Sequence, residues 1–568
     1  MTALAPDLHD RVADHLSSAV TGLFAIQRDD GSWQDTMPPA AAATALSVAA
    51  LHFADPKGSA DLIRAAMDWL RTTQAADGGW GDAPGTPSTL VGTCAVSALA
   101  LVSPVESGDN LRRGLERFEQ FGGLRAIRDP EGSELSPLCE ILLALGGLHD
   151  EDKIRRMPIE LVFLPARLRR RMPFVLPFLF PWGLAQARTR RCRFPRRILN
   201  RAAERGIRRY LDETEKCYGP DGIFRDAPIA AALIGVSLAR AGLWPDIVGR
   251  CVRFLHRTAR PDGSWWYLNG VPSSATSYVT QGLQLAGYGV DSRVARTLAW
   301  ITAAQARDVF RPFGALPGGW GWSVASRVMD ADDTAWALLC LAVGGQGLAS
   351  DPVRDGIAWL RAMQNTNGSW SCLSRNSVRW LDPPCTAITA RAIMALHVAG
   401  RLATDDPAIA RAVRWLGSVQ RADGSMPIVW YRGLTAGTGV VLDALGKLGL
   451  ADSPTARRCR EWLLANQQGD GGWGDGSGAP PTTEETAAAL IGLLGGGTPA
   501  DHPAAQAAAT WLCDHQRPDG LWEPAMVGSA LGFLSYADDL MTAGFALQAL
   551  ASYQNARSGP GDPQLTSG

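Results

Sequence analysis

Residues 461–494 read EWLLANQQGDGGWGDGSGAPPTTEETAAALIGLL. An amphipathic stretch runs into Gln467, a turn Q-x-x-x-G-x-W follows to Trp473, and a second, apolar stretch begins at Thr483. Asp-Gly in the turn supplies a residue tolerant of positive φ, which ends the first helix. One unit is therefore a helix pair. The same heptapeptide recurs at Gln27–Trp33, Gln74–Trp80, Gln364–Trp370 and Gln516–Trp522, with degenerate copies at Tyr218–Phe224, Ala259–Trp265 and Gln420–Met426 and a P-G-G-W at Pro317–Trp320. Helix pairs repeated at roughly 45 residues build an open solenoid or a closed ring of inner and outer helices. The Gln and Trp side chains are expected to tie the end of one helix to the next by amide hydrogen bonds and stacking. These turns define architecture and carry no chemistry.

Composition narrows the class. The 568 residues are 46% hydrophobic and 20% charged, enough for more than one large core and too apolar for disorder. Lys+Arg 55 against Asp+Glu 56 denies the chain the basic field of a nucleic-acid binder. The 10 cysteines contain no C-x-x-C pair, which fits reduced cytosolic thiols better than zinc or disulfides. Neither a signal peptide nor a spanning helix is expected.

One segment breaks the rhythm. Met157–Arg197 carries the apolar run Met172–Ala185, interrupted by Pro173, Pro177 and Pro181 and flanked by arginines on both sides. Too short to span, it suits insertion into one leaflet of a cytoplasmic membrane face, with Phe174, Phe178, Phe180 and Trp182 in acyl chains and Arg169, Arg170 and Arg171 on anionic headgroups. The alternative is a buried crossover with a solvated basic flank.

The motif with chemistry is RVMDADDTAWALLCLA, in which Asp330, Asp332 and Asp333 open an apolar helix. Asp at an N-cap and in the first turn has a structural use, satisfying free N–H groups and the helix dipole. Three carboxyls at the mouth of an apolar helix cannot all ionise cheaply, so one proton should stay bound. A neutral carboxylic acid in a dry site is a general acid, and aromatic faces stabilise a developing cation. Trp336, Trp320, Trp322, Tyr431, Phe533 and Tyr536 are the candidate faces. The combination suits protonation of an alkene.

With Asp330–Ala335 (DADDTA), the Gln-Trp repeats, PIELVFLP at Pro158–Pro165, DPPCTAITA at Asp382–Ala390 and GLTAGTG at Gly433–Gly439, the chain resembles the class II terpene cyclases, specifically the squalene-hopene cyclase group, over nearly its whole length. The resemblance implies an all-α fold of two α/α barrels with a large apolar cavity between them. Residues 1–20 and 270–568 would form the barrel carrying the acid motif. Residues 21–269 would form an inserted barrel, including 157–197 as membrane plug and channel. It further implies that Asp332 protonates a terminal alkene or epoxide of a polyprenyl chain, supported by Asp330 and Asp333. Initiation would need no metal, with Mg2+ entering only for a diphosphate substrate. The implied partners are an isoprenoid and the membrane surface, with the protein peripheral or monotopic, and a homodimer is compatible.

Departures from that pattern bear on the substrate. Where the group has an Asp and a His supporting the acid, this chain has Ala387 and Arg391. Arg391 is expected to donate to Asp330 or Asp333 and leave the proton on Asp332. The C-terminal aromatic block is thin, with only Phe533 and Tyr536, and TTEETA at Thr482–Ala487 looks like the stretch in cyclases of prenyl diphosphates. A squalene-like or decorated polyprene stands slightly ahead of geranylgeranyl or farnesyl diphosphate. His256 and His397 sit in apolar helical stretches and need no special role. A protein prenyltransferase β-subunit would need a zinc site of Asp, Cys and His, and no convincing set is present. A non-catalytic repeat scaffold would leave the carboxylates, the arginine-rimmed plug and the 20 Trp unconnected.

Overall fold

A computed structural model describes residues 7–35, 37–128, 136–165, 176–190, 194–218, 224, 226–307, 316–326, 328–377, 382–530 and 534–558. The chain divides into two compact units, residues 1–36, 270–309 and 315–568 in one and residues 37–269 and 310–314 in the other. The first helix, α1 (Leu8–Ala25), belongs to the first unit. Its segment extends past residue 20 because the Gln27–Trp33 turn is bonded into that unit: Gln27 Nε2 donates to Thr297 Oγ1 at 2.9 Å and the Trp33 N–H to Thr276 Oγ1 at 3.0 Å.

The second unit holds α2 (Ala41–Ala54), α3 (Ala60–Thr72), α4 (Val96–Val102), α5 (Gly108–Gln120), α6 (Ser136–Leu145), α7 (Leu176–Thr189), α8 (Phe194–Tyr218), α9 (Pro228–Ala241) and α10 (Pro245–Thr258). Helices α7, α9, α2, α4 and α6 pack in succession. Their residues are apolar all round, as in AAATALSVAAL, and α2 is buried from Ala41 through Leu51. Amphipathic α3, α5, α8 and α10 cover them.

The first unit continues with pairs of inner and outer helices. The inner ones are α11 (Pro272–Leu283), α13 (Ala331–Val343), α15 (Thr386–Val398), α17 (Thr435–Lys447), α19 (Thr483–Gly495) and α21 (Asp539–Ser558); the outer ones are α12 (Ser292–Ala304), α14 (Asp351–Met363), α16 (Pro407–Val419), α18 (Pro454–Ala465) and α20 (Pro503–Asp514), with α1 completing the set. Each inner helix packs on the next, and α21 returns to α11, so the inner ring closes as an α/α barrel. Because every outer helix carries the chain back, the inner helices run parallel and their N-termini share one end. A two-stranded hairpin, β1 (Gly528–Ala530) with β2 (Leu534–Tyr536), precedes α21.

The repeat turns have a uniform bond pattern. The Trp indole N–H reaches back to the helix it follows, from Trp33, Trp80, Trp265, Trp370, Trp473 and Trp522 to the carbonyls of Leu23, Leu70, Leu255, Leu360, Leu463 and Leu512. The Gln amide reaches forward: Gln364 Nε2 donates to Gly368 O at 2.9 Å and to Ala408 O of α16 at 2.8 Å. Gln ties one pair to the next as expected, whereas Trp locks its own turn. Glycine is required in that turn, since Gly368 has φ 96° and an added Cβ would fall 2.6 Å from Arg411 O. The GLTAGTG stretch serves close packing too, a Cβ at Gly439 falling 2.2 Å from Ala488 O of α19.

Candidate active site

Asp330 is the N-cap of α13, and its Oδ1 accepts the Asp333 N–H at 2.8 Å. The Asp330 N–H pairs with Trp320 O at 2.8 Å, and the Ala331 N–H donates to Cys372 O at 2.8 Å. Asp333 Oδ1 accepts from Ser274 Oγ of α11 at 2.6 Å. Asp330 and Asp333 are both buried. Burial and the neighbouring Asp333 hold the Asp330 carboxyl well above its usual range. Burial pushes Asp333 up to about 6, against the lowering effect of its bonds to Asp330 and Ser274. A proton thus stays in the motif near neutrality.

Asp332 is different. Its side chain keeps 13% exposure, and Arg391 Nη1 from α15 lies 2.7 Å from Oδ1 and 3.0 Å from Oδ2. Arg391 therefore pairs with the middle aspartate, not with Asp330 or Asp333. Helical pitch explains the difference: Asp330 and Asp333 are spent on the cap and on α11, leaving only Asp332 free to face α15. Burial works against the Arg391 charge, and Asp332 together with Tyr431 and Tyr278 more than restores it. The guanidinium carbon lies 4.9 Å from the Trp336 ring centroid and 5.0 Å from that of Tyr431. Tyr431 Oη donates to Asp332 Oδ2 at 3.4 Å and lies 3.3 Å from Tyr278 Oη. Tyr278 meets Trp336 edge-on at 4.9 Å, and Phe545 of α21 stacks on Trp336 at 6.1 Å.

The structure thus gathers Asp330, Asp332, Asp333, Arg391, Trp336 and Tyr431. Trp320 is a repeat-turn residue, buried with its indole N–H on Ile301 O at 2.6 Å, and offers no free face. Trp322 and Tyr536 are half-buried, the Tyr536 ring lying over Gly528. Phe533, Phe174, Arg169, Arg170 and Arg171 lie outside the described residues. Phe178, Phe180 and Trp182 are buried where α7 packs on α9, so their rings are not outward-facing contacts.

Three participants had no sequence signal of their own. Tyr278 and Phe545 sit on helices with no motif. Asp382, read only as part of DPPCTAITA, accepts the N–H groups of Cys372, Leu373 and Ser374 at 2.8, 2.8 and 2.7 Å. It thereby fixes the loop whose Cys372 carbonyl caps α13.

The N-terminal domain model of squalene-hopene cyclases matches residues 16–175, and the C-terminal domain model matches residues 237–380 and 375–555. A probable squalene-hopene cyclase of Sinorhizobium fredii is 29% identical over 249 residues, covering 38% of each protein. The match thus takes in well under two thirds of that relative's length. The copalyl diphosphate synthase of Streptomyces cyslabdanicus is 29% identical over 455 residues, 75% of this chain and 76% of its own. In fold, the ent-copalyl diphosphate synthase of Streptomyces platensis aligns over 96% of this chain and 100% of its own, with TM-score 0.60 and 21% identity.

Proposed function

The chain belongs to the squalene-hopene cyclase family of class II terpene cyclases, and from that premise we propose that it cyclises a linear polyprene by protonating its terminal alkene from Asp332. The Asp332–Arg391 contact beside the four rings of Trp336, Tyr431, Tyr278 and Phe545 carries the reading. Asp332 is the least buried of the three carboxyls, and it is the one whose anion meets a cation once the proton has left. The alkene π pair takes the proton and forms a C–H bond, and the tertiary cation is then attacked by the next alkene along the chain. The ring faces of Trp336, Tyr278 and Phe545 favour that cation. Asp330 and Asp333 retain a proton beside it.

A diphosphate-free polyprene is the first substrate reading, since Arg391 is committed to Asp332 and not to an anionic head. A prenyl diphosphate with Mg2+ is the second, favoured by the copalyl diphosphate synthase relative matched over 75% of this chain. Incubation with squalene, oxidosqualene, geranylgeranyl diphosphate and farnesyl diphosphate, with mass spectrometry of the products, separates the two; no cyclised product from any of them counts against the function.

The second unit is placed against an anionic membrane in this reading. Phe163, Ile198 and Leu199 are exposed at 49, 58 and 40%, beside exposed Arg197 and Arg201. Among the described residues no helix is long and apolar enough to cross a membrane.

A further inference from the structure

The initiating proton must be matched by one that leaves, and a second group of buried carboxyls stands at the same end of the inner ring. Helix α19 begins three places from α13 in the ring of six, so Thr482–Glu485 opens opposite Asp330–Asp333. Glu484 is 2% exposed. Its Oε1 accepts the Ala525 N–H at 2.9 Å and the Thr542 hydroxyl of α21. Its Oε2 is buried with no partner. A buried carboxyl oxygen without a donor is costly unless it has a use. Thr542 lies one turn before Phe545 on α21, which puts Glu484 on the side of α21 that carries the aromatic ring over Trp336. Ala525 leads into the hairpin whose Gly528 pairs with Tyr431, the Asp332 partner. Glu484 and Asp332 thus stand on opposite sides of the inner ring at its N-terminal end, with Phe545 and Tyr431 on the elements that link them.

We propose that Glu484 is the base that ends the cascade. Its bare Oε2 takes a proton from the carbon next to the last cation; that C–H bond breaks, its electron pair becomes the product alkene, and Glu484 becomes neutral. With the proton given by Asp332, the sum is an isomerisation with no co-reactant. Burial, which holds the Glu484 carboxyl up at about 7, makes it readily protonated and leaves an ionised fraction at neutral pH. Metal binding is the competing use of such a cluster, but among the described residues no three His, Cys, Asp or Glu side chains are grouped to hold an ion.

The inference rests on the cyclase reading, and the test keeps the two apart. Turnover in D2O places one deuterium at the initiating end of the product whatever ends the reaction. Glu484→Gln, which keeps the shape and the Ala525 acceptor, should retain that label while slowing turnover and shifting the product to other alkene isomers or to an alcohol, and Glu484→Asp should restore part of the original alkene. Unchanged rate and product in Glu484→Gln overturn the assignment while leaving the cyclase intact. Binding of a polyprenyl tertiary amine, protonated at neutral pH, reads the carboxylate without turnover, since Asp332 either holds its proton or, once ionised, is met by Arg391. Glu484→Gln should weaken it by about tenfold, and equal affinity overturns the proposal even if no polyprene is cyclised.

Discussion

Asp332→Asn keeps the size and one acceptor oxygen of the side chain and removes its acidic proton. Product formation should fall by at least about 10³-fold with the circular dichroism spectrum unchanged, whereas Asp330→Asn and Asp333→Asn, which alter the cap and the retained proton, should cost less. Arg391 acts on the same atom. Arg391→Ala leaves the Asp332 anion beside aromatic rings with no cation, so kcat/KM should drop about 10²-fold or more for every substrate. Arg391→Lys should recover part of it, a point charge replacing the planar donor. A loss confined to raised KM for diphosphates would instead put Arg391 on the substrate head. The three aspartates were legible because their spacing lies within one helix turn. Which of them Arg391 meets was not, because that is set by how α15 docks on α13, and no spacing along the chain records it.

Capping decides the behaviour of the elements that carry these groups. Helix α13 is held at its N-terminus by the Cys372 carbonyl, and that carbonyl is held by Asp382 through three N–H bonds. Asp382→Ala should therefore lower activity through α13 and lower stability together, by roughly 2–4 kcal/mol in urea unfolding. Helix α19 opens on Glu485, whose Oε2 accepts from Thr482 Oγ1 at 3.0 Å and whose Oε1 is buried without a partner. Burial, with Asp475 and Glu484 nearby, pushes this carboxyl from 4.5 up to about 8. The folded state then binds a proton that the unfolded state releases between those values, so stability falls as pH rises from about 4.5 to 8 and is level above. Glu485→Gln keeps the acceptor for Thr482 and removes the titration. It should flatten the slope and be more stable than the parent at pH 8 by on the order of 2–4 kcal/mol, read from unfolding curves at pH 5 and pH 8. The helix pairs were legible because the repeat prints their ends in Gln, Gly and Trp, and the Thr482–Glu485 pair is written in the sequence as T-x-x-E at a helix start. The Asp382 contact was not legible, because it joins backbone groups eight to ten residues away across a loop, and neither was the burial that leaves Glu485 Oε1 without a partner.

At the scale of the molecule, composition separated inner from outer helices but not a membrane-facing surface from a core. The apolar run around Phe178–Trp182 has the hydropathy of a lipid contact, yet α9 and Tyr210 of α8 cover it, Phe180 meeting Tyr210 edge-on at 6.1 Å. Hydropathy reports that a residue avoids water and is silent on whether protein or lipid replaces it. Among the apolar side chains that the described residues of the second unit leave exposed, which include Phe53 and Val105, those of Phe163 and the start of α8 form one group. Val162 and Phe163 lie against Gly206 on α8, and Leu199 is seven residues, two helical turns, before it on the same face. Exposed Arg197 and Arg201 share that end of α8. Apolar side chains bracketed by guanidinium groups favour anionic headgroups over neutral ones, and the attraction is screened by salt. The protein should therefore sediment with phosphatidylserine-containing vesicles at low salt and less with purely zwitterionic ones. Ile198→Ser with Leu199→Ser should weaken binding in both low and high salt, because the insertion term is lost. Arg197→Ser with Arg201→Ser should weaken it chiefly at low salt, because only the Coulombic part is lost. If the parent and both double variants stay in the supernatant with anionic vesicles at low salt, the exposed end of α8 is a solvated surface, and the substrate must reach Asp332 by a route that does not begin in a bilayer.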